Sequence, residues 1–256
     1  MPEKMIMNRL YLLLYVFCFI PFGIYSQNQK YISSFLMQKV NYNKTGWAYW
    51  FITPGGIADT LSVKMSYVDK GINTHLPHMH KEDELFYLIE GEAIVHLNGE
   101  ERFIKAGDSF YAPGNSLYNI SRIDTMNAIK YVMFKRETPN GLDNAYLPKN
   151  KDYSIENCLS LSSSMNLKDT SRWCLTKEFT NNGLNAQFCI LKKNSLRQYH
   201  DNGQIVCFIL EGKVLVTIDN HSYVVEALSS CYFPAESICK IQVMDDYVKY
   251  LLVKTN

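Results

Sequence analysis

The chain has no appreciable excess of charge of either sign: 26 Lys and Arg stand against 25 Asp and Glu in 256 residues, a net of +1. No segment concentrates basic residues either, so the electrostatic footprint that draws a protein onto DNA or RNA is missing and nucleic acid is excluded as a partner. Cysteine is absent between Cys18 and Cys158. The apolar run Leu10 to Phe22 falls short of the roughly 20 residues a membrane-spanning helix needs. Stretches with helical periodicity are few, whereas 18 Tyr and 13 Phe favour β structure.

Residues 1–26 read as a secretory signal. Lys4 and Arg9 give a basic start, the apolar run follows, and Pro21 and Gly23 break it before Tyr25-Ser26-Gln27. A secreted or periplasmic location follows, with no stable membrane span once the signal is removed. Cys18 lacks the small preceding residue of a lipidation site. Removing the segment takes Lys4, Arg9 and Glu3, leaving 24 basic and 24 acidic side chains. The remaining length is enough for two small cores. The mature chain has an even set of cysteines, Cys158, Cys174, Cys189, Cys207, Cys231 and Cys239, which permits disulfides in an exported protein. Cys158 with Cys174 is the candidate pair. Against bridging, Cys207, Cys231 and Cys239 sit in or beside apolar runs, where thiols pack as small hydrophobes.

After an arm over 27–44, Thr45 to Ile52 reads as an aromatic strand ended by Thr53-Pro54-Gly55-Gly56. Leu61 to Val68 alternates apolar and polar. Ala93 to Leu97 and Glu101 to Ile104 form a hairpin around Asn98-Gly99-Glu100. Ser109 to Ala112 and Lys130 to Phe134 supply further strands. Between these lies His78-Met79-His80-Lys81-Glu82-Asp83-Glu84. Two histidines two apart on a strand share a face, because side chains alternate with period two, and so can share one ion. Glu84 opens the run to Ile89 and completes a three-donor set.

The block H-x-H-x(3)-E-x(6)-G, ending at Gly91, resembles the first motif of the cupin superfamily, with the upstream glycine, Gly71, one residue further away than usual. Gly107 to Pro113 resembles the G-x(5)-P opening of the second cupin motif. The pattern then departs: Asn115 stands where a glycine is usual, with Gly114 one position early, and Tyr118 stands where a histidine is usual. The resemblance implies a double-stranded β-helix, the cupin jelly roll, with metal ligands His78, His80 and Glu84. Tyr118 is open to three roles: a fourth ligand as phenolate, a neutral hydrogen-bond donor or general acid, or an aromatic cap. His75 is either a base near the mouth or a surface residue. Glu82 and Asp83 are expected to be solvated loop carboxylates. By parity Phe86 and Leu88 line the interior, and the apolar Leu85 and Tyr87 point to a covered outer face.

The second half repeats the first. Aligning Glu90-Gly91 with Glu211-Gly212 gives an offset of 121, which also matches Tyr111 with Tyr232, Pro113 with Pro234 and Ile120 with Ile241. Upstream the offset is 123, with Leu61 on Leu184. The expected architecture is therefore all-β, with two tandem jelly-roll barrels: barrel 1 over 45–136, a linker over 137–165 and barrel 2 over 166–256. The copy is degenerate. His78 becomes Tyr199, His80 becomes Asp201, Glu84 becomes Ile205 and Tyr118 becomes Cys239, leaving His200 as a surface histidine and one metal site in barrel 1.

Two histidines and one carboxylate leave coordination positions open, as catalytic sites do, and the set suits Fe, Mn, Zn or Ni. The expectation is a metal-dependent enzyme of oxygenase, isomerase or lyase type acting on a small oxygen-rich molecule such as a sugar, sugar acid or phenolic. The alternative is a non-catalytic module binding a sugar or other small ligand. A homodimer is the further partner left open.

Overall fold

The computed structural model describes residues 30–70, 76–122, 126–136, 153–164, 170–180 and 183–255. Met1–Lys30 separates as one unit and Tyr31–Asn256 as a second, and the following concerns the second. The expected signal, the stretch from Gly71 to His75 and most of the linker lie outside the described residues.

The first half runs through β1 (Ile32–Ser34), β2 (Asn41–Asn43), β3 (Gly46–Ile52), β4 (Leu61–Val68), β5 (Glu84–Glu90), β6 (Glu92–Leu97), β7 (Glu100–Lys105), β8 (Ser109–Ala112), β9 (Tyr118–Arg122) and β10 (Ile129–Arg136). The short β11 (Leu159–Ser160) precedes the second series. This comprises β12 (Ser171–Leu175), β13 (Asn185–Lys192), β14 (Leu196–Tyr199), β15 (Gln204–Glu211), β16 (Val214–Ile218), β17 (His221–Val225), β18 (Ser229–Phe233), β19 (Cys239–Val243) and β20 (Tyr247–Thr255). Among the described residues the only helical elements are the short 3-10 turns Met37–Lys39 and Ser162–Ser164. None is long and apolar enough to cross a membrane.

Barrel 1 pairs a seven-stranded sheet, β11-β8-β5-β10-β4-β3-β2, with a three-stranded one, β7-β6-β9. Barrel 2 pairs a six-stranded sheet, β1-β18-β15-β20-β13-β12, with a four-stranded one, β14-β19-β16-β17. The central order 8-5-10-4-3 returns as 18-15-20-13-12, and 7-6-9 returns as 17-16-19. The fold is thus all-β, with two tandem jelly rolls.

Register carries the repeat down to single residues. Glu84 pairs with Ala112 and Ile205 with Phe233, while the isolated bridge of His78 with Tyr118 returns as Tyr199 with Cys239 in β14 and β19. Each pair is displaced by 121. On the other side of the sheet, Trp50 pairs with Lys64 and Trp173 with Gln187, displaced by 123. The hairpin between β6 and β7 turns on Asn98 and Gly99 alone, with φ of 50° and 93°. Both positive values belong to the two-residue turn that suits strand twist, so Glu100 is already in the strand.

The two barrels share a core. Tyr87 of β5 stacks on Phe188 of β13 at 6.0 Å, so the outer face of β5 is covered as its apolar parity requires. Phe208 of β15 meets Phe51 edge to face at 5.0 Å. A single buried cluster runs from Trp47 through Phe134 and on to Phe208 and Val253. The second barrel keeps its own interior cluster, including Cys207, Cys231, Cys239 and Phe233.

The arms are exchanged. β1, which precedes barrel 1, pairs with β18 at the edge of barrel 2, setting Ile32 opposite Cys231. β11, which precedes barrel 2, pairs with β8 at the edge of barrel 1, setting Leu159 opposite Phe110. Phe110 and Cys231 are themselves related by the offset of 121, so the exchange is reciprocal. Composition could not reveal it, because strands of two or three residues carry no periodicity.

All six cysteines of this unit are free and buried, which corrects the candidate bridge between Cys158 and Cys174. They pack as small apolar side chains; Cys158 is 3% exposed and Cys207 fully buried.

Candidate metal centre

Three strands and one loop bring the donors together. β9 is anchored to the loop before β5 by a reciprocal pair of backbone hydrogen bonds, His78 N–H to Tyr118 C=O at 3.1 Å and Tyr118 N–H to His78 C=O at 3.0 Å. The Asn115 N–H donates to the His80 carbonyl at 2.7 Å, which fixes that residue against the turn after Pro113. Glu84 begins β5 directly below.

The sequence expects Asp83 in solvent, and the structure corrects this. Asp83 is fully buried and its Oδ1 accepts the Gly114 N–H at 2.8 Å. A Cβ on Gly114 would stand 2.2 Å from the Lys81 carbonyl oxygen. The glycine shifted by one position from the family pattern therefore has its own steric reason, and Asp83 fastens the loop that carries it. Glu82 is half-buried and pairs with Lys135 at 3.3 Å.

The side chains converge on a cavity of about 50 Å³ lined by His78, His80, Glu84, Tyr118 and Lys64, with Phe86, Ile120, Tyr131 and Met133 completing its wall. His78 Nε2 and His80 Nε2 stand 3.1 Å apart. In this structure the two rings are hydrogen-bonded to each other; two ligands at ~2.1 Å from one ion lie about 3 Å apart in octahedral and about 3.4 Å apart in tetrahedral geometry, so the same separation is compatible with a shared metal. His78 Nδ1 faces the Leu76 carbonyl at 3.3 Å, a contact that places the proton on Nδ1 and leaves the Nε2 lone pair toward the cavity. Burial, then the neighbouring His80, hold His78 below the usual imidazole range, so at neutral pH it is a neutral donor.

Glu84 is 4% exposed. Its Oε1 lies 3.8 Å from His80 Nε2 and its Oε2 accepts the Tyr118 hydroxyl at 2.6 Å. Among the described residues the donors do not form a closed metal-binding cluster, and Glu84 is hydrogen-bonded to Tyr118 instead. The donor set, two imidazoles and a buried carboxylate lining one cavity, is of the chemistry a divalent ion takes.

In this structure the Tyr118 hydroxyl is a neutral donor to Glu84. Burial, then the charge of Glu84 and the hydrogen bond to it, push its phenol far above the ordinary tyrosine value. A hydroxyl donating to a carboxylate is protonated. Replacing Tyr118 with Phe is expected to leave the fold intact and lower stability by about 2 kcal/mol, as loss of a hydrogen bond to a charged group does. Urea unfolding measures it, and an unchanged midpoint would show that water replaces the phenol.

His75 lies outside the described residues. His200 is exposed, with Nδ1 against the Ser237 carbonyl at 3.4 Å, as a surface histidine should be. Two further lining residues, Lys64 and Tyr131, went unrecognised in the sequence. β4 and β10 are covered by the other barrel on their apolar parity, Val63 and Met65 or Val132 and Phe134. Their polar parity therefore faces the cavity rather than solvent. Burial pushes the Tyr131 phenol up to about 12, with a hydrogen bond to Ser66 opposing and Glu84 adding to the rise.

In barrel 2 Tyr199 stands in the place of His78 and meets Tyr250 hydroxyl to hydroxyl at 2.7 Å.

Comparison with known proteins places this architecture. Residues 65–133 match the cupin domain family. The chain carries a cupin domain over those residues, and its fold is that of the cupin superfamily. No curated protein matches the sequence. Among solved structures, oxalate decarboxylase from Bacillus subtilis at pH 4.6 superposes with a TM-score of 0.68 at 15% identity, covering 88% of this chain and 76% of that one. A structure of oxalate decarboxylase concerned with proton-coupled electron transfer gives 0.69 at 15% identity, with 88% and 77% covered. A third, whose subject is the Mn(II) centres of the Bacillus subtilis decarboxylase, gives 0.68, again at 15% identity with 88% and 77% covered. At this identity the likeness speaks to the fold.

Proposed function

We propose that this protein is an exported, metal-dependent two-barrel cupin enzyme that acts on a small oxygen-rich molecule such as a sugar, sugar acid or phenolic. One divalent transition metal ion, Fe, Mn, Zn or Ni, would be held by His78, His80 and Glu84. The observation that carries the reading is the pair of imidazole nitrogens 3.1 Å apart above a buried carboxylate. Once in place, such an ion supplies Lewis acidity toward a carbonyl or hydroxyl, or oxygen chemistry if it is iron.

The chain's own residues do the rest. Tyr118 holds a proton 2.6 Å from Glu84 Oε2, at the cavity wall, where its hydroxyl is placed to donate to a substrate oxygen. Phe86, Ile120 and Met133 line the wall and limit water, so polar interactions inside are strengthened. About 50 Å³ accepts the reacting end of a molecule rather than the whole of one. The signal-like segment supports the exported address, and the loss of the donors from the second barrel supports a single site per chain.

Elemental analysis of protein purified without chelator or added metal tests the proposal. The expected result is a single metal ion per chain. Iron would direct the search to oxygen-consuming reactions, and manganese, zinc or nickel to isomerisation, elimination or hydrolysis. Absence of metal, persisting after incubation with each of the four ions, would overturn the enzyme reading in favour of a small-ligand binding module.

A further inference from the structure

Lys64 lines the same cavity as the metal donors, yet among the described residues it forms neither a salt bridge nor a hydrogen bond. Its ammonium lies 5.2 Å from the centre of the Trp50 ring, which supports the side chain without cancelling its charge. Glu84, buried in the same cavity, is the carboxylate whose charge acts on the Lys64 ammonium, although it also accepts Tyr118 and faces His80, and Glu82 is paired with Lys135. A metal ion held by Glu84 would claim that carboxylate, and a mostly enclosed cation left without it is costly unless something brings another counter-charge.

A divalent ion on His78, His80 and Glu84 sharpens the problem. Its two positive charges, one negative carboxylate and the Lys64 ammonium leave a net of about +2 in a cavity little larger than a water molecule or two. A neutral ligand would leave that excess in place. An anion bridging metal site and ammonium would remove most of it.

The duplicated barrel separates function from folding at this position. It keeps the tryptophan partner, Trp173 for Trp50, and builds the same strand with Gln187 in place of Lys64. The lysine is absent together with both histidines and the glutamate, whose places are taken by Tyr199, Asp201 and Ile205. It therefore belongs with the site and not with the requirements of the strand.

We propose that Lys64 is the specificity-determining residue of this site and selects an anionic substrate, a small carboxylate seated between its ammonium and the metal donors. The inference rests on the metal-site reading above and adds the charge of the substrate to it.

Formate and formamide are nearly identical in size and differ in charge. Both are titrated calorimetrically into Mn(II)-loaded and metal-free protein, for the parent, Lys64→Gln and Lys64→Arg, with metal content measured in each. Gln is the residue barrel 2 already carries there, so the fold accommodates it. The parent is expected to prefer formate by about tenfold or more, as a hydrogen bond to a charged group provides. Lys64→Gln should cut the preference about tenfold at unchanged metal content, the remainder being the metal's own, and Lys64→Arg should restore it. No preference in the parent, a preference undiminished in Lys64→Gln, or loss of metal from Lys64→Gln would each overturn the proposal while leaving the metal site standing. If the parent takes up no metal the site reading fails, and the metal-free titration still decides: a formate preference lost in Lys64→Gln upholds Lys64, and none overturns it.

Discussion

Replacing His78 with alanine is expected to lower metal affinity by more than about 100-fold, beyond the loss that follows from disturbing residues that merely orient a ligand. The metal-free protein should unfold at nearly the same urea concentration as the parent. The contrast follows from how the residue is held. Its backbone makes both hydrogen bonds of the bridge to Tyr118, and those do not depend on the side chain. The imidazole lines the cavity, its ring centre 5.1 Å from that of Tyr118 and 4.7 Å from that of His80, and it is not part of the buried apolar cluster. Without it, one nitrogen and one carboxylate remain, too few to hold a divalent ion against water. Competition with a chromophoric chelator measures the change. Undiminished affinity would place the ion elsewhere in the chain.

Phe208→Ala should be the most damaging single change to stability, costing about 3–5 kcal/mol, the range for removing a large buried aromatic side chain. Phe208 is fully buried and meets Phe51 at 5.0 Å and Phe134 at 6.3 Å, both edge to face and both from the other barrel. The cavity left behind would open at the seam, which Tyr87 and Phe188 hold on the other side. Because one buried cluster spans both barrels, the loss should move a single cooperative transition rather than release one barrel first. Urea unfolding followed by tryptophan fluorescence and by circular dichroism tests this. Two separated transitions in the parent would show that the seam does not couple the barrels.

The sequence holds much of this design where spacing and parity speak. The histidine pair and Glu84 are legible from their spacing, although His78 and His80 lie in the loop before β5, with one isolated bridge at His78, and not on the strand that period two presumes. The duplication is legible because fixed offsets survive when residues do not, and the offset of 121 reappears as strand register. Lys64 was hidden by the same parity rule. An alternating strand is ordinarily read as apolar inside and polar outside, but β4 has no solvent side: Val63 and Met65 face the second barrel, and Lys64 is left to face the cavity. Asp83 was hidden by its company, since a carboxylate in a charged loop reads as solvated until a backbone N–H is found aimed at it. Tyr118 shows the limit in another way. Its position was evident, but its protonation depends on a hydrogen bond to Glu84 that only the folded chain brings about.

The exchanged arms bear on the order in which the chain can be completed. Barrel 1 has its last edge covered once β11 is made, about 160 residues from the start, so it can close while the rest is still being synthesised. Barrel 2 cannot. Its outer strand, β18, must recover Ile32 to Ser34 from the far end of the polypeptide, a loop closure across almost the whole length. Until that happens β18 presents an unpaired edge to any other strand it meets. The barrel without the metal donors is thus the slow and exposed partner in assembly, and the one carrying the site is the template on which it finishes.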